Sequence, residues 1–429
     1  MSARPAPLRV YRALTQAMTP FAPLLLKWRA RKGKEDPERL EERRGFATLE
    51  RPYGRLAWLH GASVGEGMAL LPLIERLRGR GFEVLLTTGT VASAQVLAER
   101  LPAGATHQFA PIDAPRYVER FLDYWSPDIA LIAESELWPN LLAAADARGV
   151  PVVLVNARLS QRSYERWLKI PGTIQSLLGK IDLCLAQSPA DAARLMDLGA
   201  ARVQVAGNLK YDVPALPADQ TQLARLRAAV GARPAWLAAS THDGEEQIAL
   251  AAHRALLRRF PDLITIVAPR HAARGPQIAE MARRAGVSAP LRSRGETLGA
   301  GPQFYVADTM GELGLFYRIC NAIFVGKSLA GGGGQNPIEP AKLGSAILHG
   351  PMTSNFADVY AALDARDGAL LVGGAEELAD ALAHLLTDTR RLREMARTAG
   401  EVVDAYGGAG DKIMQAIEPY VLQMELAGR

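Results

Sequence analysis

The chain has 429 residues, 48% of them hydrophobic and 22% charged, with 50 Lys+Arg against 45 Asp+Glu and a formal net charge of +5. This is ordinary globular composition and excludes a disordered chain, while the length suits two domains, or three at most, each with its own core. The charge is unevenly placed: residues 1–50 hold eleven bases and six acids, the remainder holds 39 of each, and residues 1–34 hold eight bases and no acid. A neutral body argues against a nucleic-acid protein, whose phosphate-tracking surface would carry clustered excess charge. A basic N-terminal segment argues for a partner of its own.

Cys184 and Cys320 are the only cysteines and lie far apart in apolar, strand-like stretches. A disulfide framework is therefore excluded and a reducing compartment expected. The seven histidines include no pair at helical zinc spacing, and Asp-x-Asp occurs nowhere, so no metal site is expected.

Residues 1–50 read as a basic, membrane-associating segment. Within it, residues 10–28 (VYRALTQAMTPFAPLLLKW) form the one membrane candidate, interrupted by Arg12, Gln16, Pro20, Pro23 and Lys27. A spanning helix needs about 20 mostly apolar residues, and a removable signal peptide needs a small-residue cleavage site that is missing here. What remains is an amphipathic stretch followed by Lys27, Arg29, Arg31, Lys32 and Lys34. Two readings stand. One is docking on an anionic leaflet, at roughly 1 kcal/mol per base near the surface; the other is an amphipathic helix packed on the protein's own body.

From residue 55 onward, short apolar runs alternate with amphipathic stretches, the pattern of parallel sheets wrapped by helices. Strands are predicted at residues 55–60, 83–88, 129–134, 150–156, 183–188 and 203–208, with helices at 68–80, 92–100, 117–124 and 190–198. YDVPALPADQ (211–220) has two prolines and no periodic apolar face, so it reads as a linker. A second series of strands follows at 235–240, 263–269, 303–308, 322–328 and 346–350. The expected organisation is a Rossmann-like domain at 51–212, a linker at 213–220 and a second Rossmann-like domain at 221–429, whose last helix is free to pack back on the first. Two such α/β units are expected to face each other across a cleft, with ligands outside the carboxyl ends of the strands.

Polar constellations do follow the predicted strands. In HGASVGEG (60–67), small residues permit a sharp turn close to a substrate, and Glu66 opens the next helix. A carboxylate there gains about 0.3–1 kcal/mol from the helix dipole and is placed to act as a general base; the alternative is an ordinary helix N-terminal glutamate. AESELWPN (133–140) sets Glu134 and Glu136 at a strand end before Trp138 and Pro139, either orienting a substrate or, for Glu136, capping the helix. NARLS (156–160) offers Arg158, to meet an anionic acceptor or pair with one of these glutamates.

The second unit reads as an anion-binding half. ASTHDGEE (239–246) places Ser240 and Thr241 where a helix opens, and APRH (268–271) places Arg270 after a strand. GKSLAGGGGQNPIEPA (326–341) joins Lys327, Ser328 and a four-glycine loop containing Gly332 and Gly333 to Asn336 and Glu339 at another helix start. Met310 and Gly311, just past a strand end, are positioned to edge a base with their backbone, and His242 and His271 read as structural.

In this order and spacing, HGASVGE, ESELWPN, NARLS, GNLKYD (207–212), ASTHDGEE, APRH and GGGGQNPIEPA resemble the 3-deoxy-D-manno-oct-2-ulosonic acid (Kdo) transferases of lipopolysaccharide assembly. The resemblance covers essentially the whole chain. Gly61 departs from an expected alanine, and Gln335 stands where the family more often has histidine. The resemblance implies the GT-B glycosyltransferase fold and an inverting, metal-independent enzyme with no cofactor. It would move Kdo from CMP-Kdo to a lipid A precursor at the cytoplasmic face of the inner membrane. It implies Glu66 as the base and Ser240, Arg270, Lys327, Ser328, Gly332, Gly333, Asn336 and Glu339 on the CMP-sugar side; from their positions, Ser63, Glu134 and Arg158 are expected as acceptor-side or orienting residues, and Thr241, Met310 and Gly311 on the CMP-sugar side. Closure of the cleft would then assemble the site. The rival expectations are a UDP-sugar transferase or epimerase, and a non-catalytic, membrane-bound sugar-nucleotide-binding protein.

Overall fold

The computed structural model describes residues 5–212, 214–301 and 303–426. The chain divides into two compact units, Met1–Val213 with Gly407–Arg429, and Pro214–Tyr406. The first unit thus takes in the C-terminal helix Ala409–Leu426.

The first unit is built on seven parallel strands: β1 (Leu56–His60), β2 (Glu83–Thr88), β3 (Ala105–Phe109), β4 (Ile129–Ala133), β5 (Val152–Ala157), β6 (Leu183–Ala186) and β7 (Val203–Val205). Their order is β3-β2-β1-β4-β5-β6-β7. The central strands β1, β4 and β6 are almost wholly apolar because helices cover both faces. Along β1, Leu56 and Trp58 enter one core while Ala57 and Leu59 enter the other. Ile413, Ile417, Val421 and Met424, spaced at helical intervals on the last helix, complete the second core.

The second unit has six parallel strands: β8 (Ala235–Thr241), β9 (Ile264–Pro269), β10 (Gln303–Val306), β11 (Ala322–Val325), β12 (Ala346–His349) and β13 (Ala369–Leu371). They run in the order β10-β9-β8-β11-β12-β13. In both units the order reverses beside the first strand, β1 or β8. That reversal is the switch point at which doubly wound sheets bind ligands.

The N-terminal segment folds as helix Ala6–Met18, a 3-10 turn Thr19–Phe21 and helix Ala22–Arg31. It lies on the body of the first unit: Tyr11 donates to Asp113 at 3.0 Å, Asn140 donates to Thr15 Oγ1 at 3.0 Å, and the Tyr117 hydroxyl donates to the Thr19 carbonyl at 2.8 Å. Among the described residues, no helix is long and apolar enough to cross a membrane.

Two buried histidines give the fold a pH dependence. His60 Nδ1 meets Thr87 Oγ1 at 2.9 Å and His253 Nδ1 meets Thr265 Oγ1 at 2.8 Å, while both Nε2 atoms lack a partner among the described residues. Burial lowers each ring from the ordinary 6.5 to about 4. Between these values the unfolded chain binds protons that the folded chain does not, so stability declines as pH falls from about 6.5 to about 4. Roughly 1 kcal/mol per ring is lost within the first pH unit of that window. Thermal melts across the window should show Tm falling with pH, and His253→Gln should flatten the slope whatever its absolute Tm. A flat wild-type profile would contradict this account.

Candidate active site

In the first unit the chain leaves β1 at His60 and turns into helix Val64–Gly79. Ser63 caps that helix by accepting the Glu66 N–H at 3.3 Å. Glu66 in turn accepts the Ser63 hydroxyl on Oε1 and the Ala62 N–H on Oε2, each at 2.7 Å. This reciprocal capping box fixes the carboxylate at the strand end. Glu66 is only partly buried, and a carboxylate with two donors keeps lone pairs for a third, so capping and proton acceptance are compatible in one side chain. The turn is tight: a Cβ on Gly61 would lie 3.0 Å from Glu66 Cβ.

Glu134 follows β4 in a left-handed conformation, φ 54°, with Lys210 Nζ 3.6 Å from its Oε1. Glu136 accepts the Trp138 indole N–H at 2.5 Å. Burial raises its carboxyl above the usual range, the Trp138 bond opposes this, and the charges of Glu66 and Glu134 add to the rise. Three carboxylates thus gather past β1 and β4. Glu136 does not cap the helix Pro139–Ala147; Asp113 does, accepting the N–H groups of Asn140 at 3.1 Å and Leu141 at 2.9 Å. Arg158 pairs with none of the glutamates; it is exposed and has no hydrogen bond or ion pair among the described residues.

In the second unit, Ser240, the penultimate residue of β8, has φ 54° and Lys327 follows β11 with φ 59°. The Arg270 backbone N–H donates to the Thr241 carbonyl at 3.0 Å, while its side chain is exposed. His242 and His271 stack edge to face with centroids 5.9 Å apart. Burial lowers the His242 ring, and the charge of Lys327 contributes to the lowering. Met310 is 69% exposed, and Gly311 turns with φ 80°.

Several residues expected on the donor side have other engagements. The Thr241 hydroxyl points into the unit and donates to Glu246 at 2.9 Å. The buried Ser328 hydroxyl donates to the Val325 carbonyl at 2.6 Å and accepts the Gly350 N–H at 2.8 Å. Asn336 Oδ1 accepts the Ile338 N–H at 3.0 Å, opening a helix, Ile338–Lys342, of only five residues. So short a helix has little macrodipole to offer an anion. Glu339, in its first turn, lies close enough to buried Tyr317 to raise that phenol's pKa, after burial itself. Gly333 turns with φ 105°, which a side chain would strain, and a Cβ there would press on the Asn355 amide at 2.7 Å; at Gly332, φ 72°, a Cβ would meet only Met352 Sδ at 3.8 Å.

Sequence reasoning left out Lys210 as a partner of Glu134, although GNLKYD carries it. It also passed over the left-handed Asn156, φ 51°, whose Oδ1 accepts the Leu209 N–H at 2.9 Å. Glu134, Asn156, Ser240 and Lys327 are four non-glycine residues with positive φ at the carboxyl ends of β4, β5, β8 and β11. Such conformations cost about 1–3 kcal/mol each and concentrate where function holds the backbone in place. Among the described residues no group of three or more His, Cys, Asp or Glu side chains could hold a metal ion.

A family model described as 3-deoxy-D-manno-octulosonic-acid transferase (kdotransferase) matches residues 38–213. The chain is 35% identical over 411 residues to the probable mitochondrial 3-deoxy-D-manno-octulosonic acid transferase of Arabidopsis thaliana, covering 92% of each. It is 33% identical over 393 residues to the 3-deoxy-D-manno-octulosonic acid transferase of Haemophilus influenzae, covering 90% of this chain and 92% of that one. The structure of a putative UDP-N-acetylglucosamine 2-epimerase from Listeria monocytogenes aligns with a TM-score of 0.58 at 16% identity, covering 86% of this chain and 98% of that one. At that identity the likeness is one of fold, the GT-B fold. Two doubly wound units and kinship over nine-tenths of the chain lead to one conclusion: this chain belongs to the 3-deoxy-D-manno-octulosonic acid transferase family of glycosyltransferases.

Proposed function

We propose that this enzyme transfers Kdo from CMP-Kdo to a lipid A precursor, lipid IVA, in lipopolysaccharide biosynthesis. The reaction is an inverting displacement without a metal or cofactor, at the cytoplasmic face of the inner membrane. The observation that carries the reading is the seating of Glu66 at the end of β1, in the part of the chain that the family model covers. An acceptor hydroxyl attacks the anomeric carbon, its proton passes to Glu66, and the bond from that carbon to the CMP phosphate oxygen breaks. A single displacement inverts the centre. Charge on the departing phosphate falls to the exposed Arg270 and the partly exposed Lys327, aided by the Ser240 hydroxyl.

The N-terminal segment supports the membrane part of the proposal. Val10, Leu14, Met18, Phe21, Leu25 and Trp28 recur at intervals of three and four residues, and all are about half exposed or more. Arg9, Lys27, Arg31, Lys32 and Lys34 are exposed on the same segment. An apolar stripe edged by bases is what an anionic lipid surface takes up.

Three outcomes follow. Glu66→Ala should lower turnover on CMP-Kdo and lipid IVA by roughly 10²–10⁴-fold, as loss of a general base does, and EDTA should leave the wild type active. Near wild-type turnover by the variant would sink the base assignment, and inhibition by EDTA the metal-free one. CMP, and not UDP, should raise the wild-type Tm; the reverse preference would favour a UDP-sugar enzyme. Replacing Leu14, Phe21 and Leu24 together by Asp should abolish co-sedimentation with anionic vesicles while the far-UV spectrum stays unchanged. Undiminished sedimentation would place the membrane contact elsewhere.

A further inference from the structure

Glu245 opens helix Glu245–Leu256 and is completely buried, yet among the described residues it forms no ion pair. Its partners are main-chain amides. Oε2 accepts the N–H groups of His242 at 2.9 Å and Lys327 at 2.7 Å. Oε1 accepts those of Ser328 at 2.9 Å, Leu329 at 3.0 Å and Ala330 at 3.3 Å. Four successive amides converging on one carboxylate form a nest of the kind that otherwise holds a bound anion. Here the protein supplies the anion itself.

We infer that Glu245 is a positioning residue for the sugar-nucleotide donor: it occupies the amide nest of residues 327–330 and thereby fixes Ser240, His242 and Lys327 in one arrangement. The inference rests on the donor side proposed above and adds to it a residue that contacts no substrate. Two features beyond the hydrogen bonds support it. Lys327 holds φ 59°, a conformation that persists only where its surroundings enforce it, and its N–H makes the shortest of the five bonds, at 2.7 Å. Gly326 closes the contact from below: a Cβ there would meet Glu245 Oε2 at 2.9 Å, Thr241 Cα at 2.8 Å and the Ser240 carbonyl oxygen at 2.6 Å. The chain can approach the carboxylate this closely only as glycine. A nest already filled does not bind the donor phosphate, which leaves that charge to the side chains of Arg270 and Lys327.

The test is Glu245→Gln, which keeps the size of the side chain but turns an NH2 group toward amides that need an acceptor. CMP affinity by calorimetry and KM for CMP-Kdo should worsen together by roughly tenfold or more, the scale of losing hydrogen bonds to a charged group. KM for the lipid acceptor should stay unchanged, a split that general destabilisation does not produce. Gly326→Ala leaves the carboxylate in place but crowds it, and should give the same split, so the test survives if Glu245→Gln fails to fold. Wild-type CMP affinity and donor KM in either folded variant, or equal losses for both substrates, would overturn the positioning role alone. A wild-type enzyme that binds no CMP would overturn the donor reading and this inference with it.

Discussion

Buried and partly buried carboxylates that accept main-chain N–H groups hold this structure together at its loops. A parallel sheet ends each strand in a loop whose amides have no ladder partner, and an amide buried without one costs about 1–3 kcal/mol. Glu66 takes the Ala62 amide, Asp113 those of Asn140 and Leu141, and Asp191 that of Leu159. Asp308 takes the amide of Ser293, and Glu245 takes five amides from two loops. Asp212 uses the same device on the returning chain, accepting from Gly408 at 2.7 Å and also from Gly410. The result is a set of loops whose shape is decided before any substrate arrives.

That order determines what remains for chemistry. Thr241 and Ser328 turn inward to satisfy Glu246 and the main chain, so neither hydroxyl is left toward solvent at these strand ends. Arg158 and Arg270 stay exposed, and Glu66 and Lys327 are partly so. Of these, Glu66 is held by two hydrogen bonds, so its carboxylate loses little freedom when it meets a partner. Glu66 shows the economy of the arrangement: the contacts that cap its helix also aim the carboxylate.

The alternation of apolar runs and amphipathic stretches made most strands of both sheets legible, because buried parallel strands are apolar on both faces. β3 was missed because Thr106, His107 and Gln108 give it no apolar run, and β13 because three residues at a sheet edge carry no period. Residue types at the strand ends were legible, but side-chain direction was not: a hydroxyl after a strand reads the same whether it faces solvent or, like Thr241, a buried glutamate. The amide nest of residues 327–330 was not legible because its occupant, Glu245, lies some eighty residues earlier in the chain. Left-handed Glu134, Asn156, Ser240 and Lys327 were invisible for a related reason, since none is a glycine or sits in a turn motif.

The N-terminal segment shows how two readings of one pattern can each describe a different face. A helix made only to pack would turn its largest apolar side chains inward. Here the buried positions are Thr19, Ala22 and Leu26, while Met18, Phe21, Leu24 and Trp28 are each more than half exposed. Arg12 reaches Glu119 on the body and Arg29 pairs locally with buried Glu35, but Lys27, Arg31, Lys32 and Lys34 remain toward solvent. Scattered exposed apolar residues are normal on a soluble surface, whereas a run of them at helical spacing beside solvent-facing bases is not. Small and polar side chains, together with the buried Leu26, attach the segment to the first unit, and that attachment is what allows the other large apolar ones to face outward.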